Sequence, residues 1–191
     1  AAAERALTLD SNLAEAHAIK ARILSEGGRH DAASAEIEIA LALDPESFEV
    51  NRAAAYLRFR QKRTKDAILH FEKAQSLMET DVSSGNMLMT CYTALGDSAA
   101  AQRQAQITVA RAQKALAQDP SNGAAMGFCC YALALLGQAE SAKGWMSRAL
   151  LIDPDNMNMR YNFACTMATQ LKDADGAIAL LGPLFEKISV G

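Results

Sequence analysis

Gly123–Asn156 reads GAAMGFCCYALALLGQAESAKGWMSRALLIDPDN. Ala124 to Leu136 is an apolar run of helical composition, Gly137 interrupts it, and Glu140 to Ile152 is a second helical run. Gly137 suits a turn at positive φ, which costs glycine little. Asp153-Pro154 ends the second run, because the residue before a proline avoids helical geometry. A proline is tolerated in the first turn of a following helix. The stretch is one helix-turn-helix unit of 34 residues.

The same unit recurs on both sides. Ala42-Leu43-Asp44-Pro45-Glu46 and Ala117-Gln118-Asp119-Pro120-Ser121 end helical runs in the same way. Pro120 and Pro154 are 34 residues apart, and Pro45 and Pro120 are 75 apart, which is 34 plus 41. Ala33, Ala67, Ala101, Ala142 and Ala177 follow at steps of 34, 34, 41 and 35. Ala40, Ala74, Ala115 and Ala149 keep steps of 34, 41 and 34, and a column of larger residues reads Leu24, Arg58, Tyr92, Leu133, Met167. A plain helical bundle has no reason to repeat several columns in phase. The 41-residue unit carries seven extra residues, two helical turns to within about 20°. Ser98 to Gln118 holds no Gly or Pro, so the second helix of that unit is expected to absorb them without rotating its apolar face. Gly28 and Gly96 occupy the interhelix turn of two other units.

Composition agrees. The 191 residues include 39 Ala but only 4 Val, a balance that favours helix over strand. With 19 Lys+Arg against 22 Asp+Glu, the net charge is −3, which disfavours a nucleic-acid coat and an acidic disordered tail. The longest apolar run, Ala124 to Leu136, is far below the roughly 20 residues of a membrane span. The first ten residues have no basic flank and no long apolar core, unlike a signal peptide. They also lack an initiator Met and begin within helical sequence, so a segment of a larger protein is expected.

These units resemble the tetratricopeptide repeat family, and the resemblance covers nearly the whole chain. It implies an all-α, right-handed α-α superhelix, a solenoid of about five repeats after an N-terminal remnant helix. The repeats fall at 14–47, 48–81, 82–122, 123–156 and 157–188. Residues 1–13 stand as the last helix of a truncated preceding repeat, and 189–191 as a tail. The fourth unit matches best, with Cys130, Leu133, Gly137, Ala142, Met146, Ala149 and Pro154 at the signature places. In the second, Lys62 replaces the turn Gly and Glu79 the Pro. The fifth has one extra residue in its turn and Pro183 late in its second helix, expected to kink or shorten it.

Other strings carry a narrower resemblance. They are Thr90-Cys91-Tyr92-Thr93-Ala94-Leu95-Gly96-Asp97, Ala149-Leu150-Leu151-Ile152-Asp153-Pro154-Asp155-Asn156, Met159-Arg160-Tyr161-Asn162-Phe163-Ala164-Cys165 and Ala177-Ile178-Ala179-Leu180-Leu181-Gly182-Pro183-Leu184-Phe185-Glu186. They look like the C-terminal repeat region of bacterial multidomain class III adenylate/guanylate cyclases and related regulators. There a catalytic or DNA-binding domain precedes the repeats.

No catalytic constellation, metal site or cofactor motif is present. His17, His30 and His70 lack metal-ligand spacing and read as surface or interhelix residues. Cys91, Cys129, Cys130 and Cys165 form no Cys-x-x-Cys pair, and Cys129 and Cys130 point about 100° apart on a helix. Cys130 shares a small-residue column with Ala21, Ala55 and Ala164, so a buried, reduced thiol and a cytoplasmic setting are expected. Gly27-Gly28 is an interhelix turn with no phosphate-loop continuation. The eight Met residues read mainly as core packing. Arg58, Arg60, Lys62, Arg63 and Lys65, with Arg52 upstream, form a basic cluster expected to be a solvated turn. Arg58 stands in an apolar column, where either its stem packs and its head snorkels or Phe59 takes the slot. Lys20 likewise replaces an apolar residue.

The family resemblance implies that the first helix of each repeat lines a concave groove. Carried over position by position, it places Glu15, Ala18, Arg22 and Ser25 there, then Glu49, Arg52, Tyr56 and Phe59, then Ser83, Asn86, Thr90 and Thr93. Ala124, Gly127, Tyr131 and Ala134 follow, then Asn158, Tyr161, Cys165 and Ala168. The strongest partner-binding candidates are Arg22, Glu49, Arg52, Tyr56, Phe59, Asn86, Tyr131, Asn158 and Tyr161. The family's clamp for peptide C-termini is absent, since its places hold Ala18, Arg22, Ala53, Ser83 and Met87. The expected role is a non-enzymatic protein-interaction scaffold, the regulatory arm of a larger bacterial cytoplasmic signalling protein such as an adenylate cyclase. Its partner is a protein or peptide, or another domain of its own parent chain, with no nucleic acid and no membrane insertion. The alternative is a structural or homo-oligomerising element of a multidomain enzyme.

Overall fold

A computed structural model describes residues 2–189, with the side chains of Ala2, Leu184 and 186–189 excepted. The elements in order are α1 (Ala2–Leu9), α2 (Ala14–Glu26), α3 (His30–Leu43), α4 (Phe48–Arg60), α5 (Thr64–Leu77), α6 (Ser83–Ala94), α7 (Ser98–Gln118), α8 (Gly123–Leu135), α9 (Ala139–Ile152), α10 (Met157–Thr166), a π-helical turn (Met167–Leu171) and α11 (Ala174–Ser189). Among the described residues there is no strand. Ser189, expected in the tail, closes α11; the remaining tail residues, 190 and 191, lie outside the described residues. The chain divides into two compact units, residues 1–96 and 97–191.

In the first unit α2 pairs with α3, α4 with α5, and α2 also packs on α4. Ala21, Leu24, Ala33, Ile37, Ala54 and Leu57 form one buried cluster, and Ala55, Ala67, Ile68, Phe71, Leu88 and Cys91 another. The column alanines Ala33, Ala40, Ala67 and Ala74 are fully buried. A residue without side-chain bulk lets neighbouring helices close on each other, and large residues such as Ile37 and Phe71 fill the space beside them. In the second unit α8 packs on both α7 and α9, and α10 on both α8 and α11. Here Ala101, Ala142 and Ala177 of one column and Ala149 of the other are buried, and Ala115 is half-buried.

Five interhelix turns each pass through one residue at positive φ. These are Gly28 at 77°, Lys62 at 60°, Gly96 at 76°, Gly137 at 74° and Lys172 at 56°. Their separations, 34, 34, 41 and 35, are those of the Ala33 column. Lys62 and Lys172 therefore adopt the turn's left-handed geometry without the glycine that makes it inexpensive. Around it the amides of Arg29, Arg63 and Gln138 reach back to the carbonyls of Leu24, Arg58 and Leu133 at 2.9 Å, satisfying helix-end acceptors.

The Asp-Pro pairs act in the loops rather than in the first turn of the next helix. Asp44 caps the α3 terminus, its Oδ1 accepts from the Glu46 amide at 3.0 Å, and α4 starts only at Phe48. The next helix is then started by a polar side chain. Ser47, Asp97, Asn122 and Asn156 accept from Val50, Ala100, Ala125 and Met159 at the heads of α4, α7, α8 and α10.

The two irregular repeats resolve differently. The seven extra residues lengthen α7 to 21 residues, against 14 in α3, α5 and α9. Ala101 and Thr108, seven apart, are both buried on it, so the apolar stripe runs on in phase. The single extra residue of the last repeat opens a π turn, which wraps one more residue per hydrogen-bonded loop. Gly176 accommodates it: a Cβ there would stand 2.3 Å from Cε of Met167. Asp173 heads α11 by accepting from the Gly176 amide at 2.9 Å and from Lys143 at 2.8 Å. Pro183 does not shorten this helix, which runs on to Ser189. A proline inside a helix removes one backbone hydrogen bond but leaves the following ones available.

Candidate functional site

Between α2 and α4 opens a cleft of about 450 Å³. Its walls are Glu15, Ala18, Ile19, Arg22 and Ser25 from α2, and Glu49, Arg52, Ala53, Tyr56, Leu57 and Arg60 from α4. Steps of three and four residues return to one helix face, which is why each wall is a single stripe. Two cross-contacts show the helices to be parallel. At their N-terminal ends Ser47 Oγ donates to Glu15 Oε1 at 3.1 Å, and at their C-terminal ends Arg60 Nη1 donates to Ser25 Oγ at 3.4 Å.

The cleft is polarised along its length. Glu15 and Glu49, from the first turns of α2 and α4, mark one end. Arg22, Ser25 and Arg60 mark the other. Arg52 lies between, bonded to Glu49 at 2.9 Å with its guanidinium 5.5 Å over the Phe48 ring. Tyr56 is fixed from both sides. Its ring meets Phe71 edge-on at 5.2 Å, and its hydroxyl lies 3.2 Å from Ser83 Oγ. Ala18, Ala53 and Leu57 make an apolar floor, and Ile19 stands partly exposed at its rim. Among the described residues Arg22 has no polar partner and Arg60 has only the Ser25 hydroxyl.

The structure thus brings Glu15, Ala18, Arg22, Ser25, Glu49, Arg52 and Tyr56 to one surface. Phe59, three residues after Tyr56, is not among the cleft walls; it packs against the Phe71 cluster, as Tyr56 also does. Asn86 is half-buried on α6, its carbonyl accepting from Thr90 at 3.1 Å. In the second unit Tyr131 is half-buried on α8, and Asn158 and Tyr161 are exposed on α10. Sequence reading missed Ile19, Ala53, Leu57 and Arg60. Each follows a named position by one residue (Ala18, Arg52, Tyr56 and Phe59), so a stripe drawn two residues wide would have included all four.

The basic cluster is not one patch. Arg58 is buried and reaches back to α3, where its guanidinium is paired with Glu38 and donates to Ser34 at 3.4 Å and to Gln61 of its own turn at 3.2 Å. Neither expected alternative holds: the head does not snorkel free, and Phe59 does not displace it, because α3 supplies partners in place. Arg63 pairs with Asp66 at 2.6 Å. Lys20, the other polar intruder in an apolar column, pairs with Glu36 at 2.5 Å. His17 joins the same carboxylate at 2.7 Å while its other ring nitrogen lies 3.0 Å from the Ser11 carbonyl. Burial raises the Glu36 carboxyl, but the hydrogen bonds and charges of Lys20 and His17 outweigh it and hold it below the ordinary glutamate range.

Cys91, Cys129 and Cys130 are buried free thiols and Cys165 is an exposed one. Burial pushes Cys91 and Cys129 up to about 11, and Cys130 upward as well. No described group of His, Cys, Asp or Glu is arranged to hold a metal ion, and no described helix is long and apolar enough to cross a membrane.

No family profile matches the chain, and no curated protein sequence matches it. Solved structures do. YrrB, a TPR protein with an unusual peptide-binding site, aligns at TM-score 0.59 and 22% identity over 95% of this chain and 89% of its own. TTC0263, a thermophilic TPR protein of Thermus thermophilus, aligns at TM-score 0.67 and 19% identity over 91% and 90%. The chain has the tetratricopeptide-repeat fold. The human IFIT1 dimer with m7Gppp-AAAA shares that fold at TM-score 0.70 and 17% identity, over 98% of this chain but 44% of its own length. The chain therefore spans less than half of that protein. At these identities the likeness is one of fold.

Proposed function

We propose that this tetratricopeptide-repeat chain is a non-enzymatic protein-interaction scaffold that seats a polypeptide partner in the α2–α4 cleft. The observation that carries this is the cleft itself: an open channel with an apolar floor, a rigid aromatic in Tyr56 and charged groups at both ends. Tyrosine and arginine are the usual anchors of interfaces. YrrB, a protein of the same fold, has a peptide-binding site, which supports the reading by analogy of fold only. Asn86, Tyr131, Asn158 and Tyr161 stand as further partner contacts on their own helices. Five repeats at 14–47, 48–81, 82–122, 123–156 and 157–188 remain our division of the chain. The setting we favour is the regulatory arm of a larger bacterial cytoplasmic signalling protein such as an adenylate cyclase. It is supported by the strings at 90–97, 149–156, 159–165 and 177–186 and by four thiols with no disulfide.

Panning a displayed random-heptapeptide library on the full chain tests the cleft. Binders should be enriched, and Tyr56→Ala or Arg52→Ala should weaken them by about 1–2 kcal/mol without lowering helicity. Binding that survives both substitutions would place the seat elsewhere.

A second reading, a homo-oligomerising element, is favoured by Leu151, Ile178 and Phe185, which are 84%, 66% and 64% exposed in the second unit. Light scattering over a dilution series should then show association; a monomer at every concentration removes this reading.

A further inference from the structure

We infer, resting on the reading of the α2–α4 cleft as a partner seat, that its occupant is an extended polypeptide segment with an internal Asp or Glu side chain gripped between Arg22 and Arg60. The segment is apolar in its middle and basic at the end facing Glu15.

The charge distribution carries the assignment. Glu49 is matched by Arg52, and Glu15 is held by a hydroxyl alone, which leaves it able to attract a cation. At the opposite end the walls carry two arginines, Arg22 and Arg60, and no carboxylate. Arg60 crosses from α4 onto Ser25, and Arg22 lies one helical turn before Ser25 on the same face of α2. Both arginines are exposed, and a carboxylate between them gains charge-assisted bonds from two sides. Ser25, buried in the wall and accepting from Arg60, adds a hydroxyl to that end of the cleft.

The length sets the conformation. Glu15 and Ser25 are ten residues apart on α2, about 15 Å along the axis. An extended chain covers that in about four to five residues. The acidic and basic side chains of the segment are therefore about four positions apart, with one or two aliphatic side chains over Ala18, Ala53 and Leu57.

Two other occupants fit less well. The cleft walls include no asparagine or glutamine to fix the last peptide bond of a chain terminus, so side chains rather than an end group decide what binds. A nucleic-acid backbone would bring phosphates against Glu15 and Glu49, where like charge opposes it.

The test uses the full chain and two displayed random-heptapeptide libraries, one embedded between fixed flanks and one with a free C-terminus. Selected embedded peptides should share an acidic residue with a basic one about four positions away. Synthetic copies should lose about fivefold affinity when the acid is replaced by its amide. The Arg22→Glu/Arg60→Glu chain, checked for native helicity and unfolding midpoint, should select a basic residue at the same place. Selected peptides that bind through Tyr56 but tolerate the amide overturn the charge assignment and leave the interaction reading intact. Enrichment confined to free C-termini, or tighter binding of a single-stranded RNA 12-mer than of any peptide, also overturns it. Failure of both libraries to yield any binder overturns this assignment and the interaction reading together.

Discussion

His17 Nδ1 lies 2.7 Å from Glu36 Oε2 while His17 Nε2 lies 3.0 Å from the Ser11 carbonyl oxygen. The two ring nitrogens thus bridge a carboxylate of α3 and a carbonyl of the loop before α2. With Lys20 on the other oxygen, Glu36 ties α3 to α2 and to the loop before it.

Acid should therefore loosen the first unit in a defined way. Glu36 is held below the ordinary glutamate range, so the folded state binds fewer protons there than the unfolded one. The stability it contributes is complete above the ordinary value and is lost as pH falls from there through the folded value. His70, lowered by burial and by the charge of Arg58, acts in the same sense at higher pH. Its share is complete above the ordinary histidine value and is lost on descent from it. Urea unfolding from pH 8 to 3 should show both limbs. Glu36→Gln should cost about 1–2 kcal/mol at pH 7 and flatten the lower limb; an unchanged acid slope would contradict the assignment.

Arg58 and Glu38 should respond unequally to substitution. Arg58→Met places the residue type found at Met167 in the same column and removes both the charge and its need for partners. Its expected effect is within about 1 kcal/mol, in either direction. Glu38→Ala leaves a buried guanidinium with two neutral acceptors and should cost about 1–2 kcal/mol, below a fully buried pair because Glu38 is itself exposed. Equal losses in thermal unfolding would refute this asymmetry.

The two lysines at positive φ offer the converse change. Lys62→Gly and Lys172→Gly should each stabilise by up to about 1 kcal/mol, because a side chain in left-handed geometry costs about that much. Gly28→Ala should destabilise by a similar amount, with no clash involved, since nothing lies within 4 Å of its Cβ position. Denaturant midpoints decide the signs.

Thiol chemistry should separate the cysteines. At pH 8 iodoacetamide should modify exposed Cys165 in the folded protein. Cys91 and Cys129, protonated up to about 11, and the still higher Cys130 should react only after unfolding. Peptide mass mapping before and after urea gives the answer, and early modification of Cys129 or Cys130 would contradict their burial.

Repetition is what made the fold legible. Ala33 alone says little, but Ala33, Ala67, Ala101, Ala142 and Ala177 in step say that one packing constraint is being met five times. The lysines at 62 and 172 hid the same turn because their backbone geometry, not their chemistry, matches Gly28. Arg58 looked anomalous because its partner, Glu38, lies 20 residues back on another helix, and a column comparison does not reach across helices. At the cleft, Arg22, Arg52 and Tyr56 could be named from repeat phase. Arg60 was not, because the stripe stopped at Phe59 and the neighbours Lys62 and Arg63 made Arg60 read as part of a solvated turn. Leu57 and Ala53 serve the cleft floor and the core at once, Leu57 buried in the α2–α4 cluster and Ala53 packed against it.

The contrast between α7 and the π turn bears on how such a chain tolerates insertions and deletions. Seven residues entered α7 and left one unbroken α-helix, because they return the helix to nearly the angle at which it was interrupted. One residue entered the last turn and is accompanied by a wider hydrogen-bonded loop and a glycine clearing space for Met167. Change of length is thus quantised here. Heptads can be gained or lost by a drifting gene almost silently, whereas single-codon events demand compensation at several sites at once.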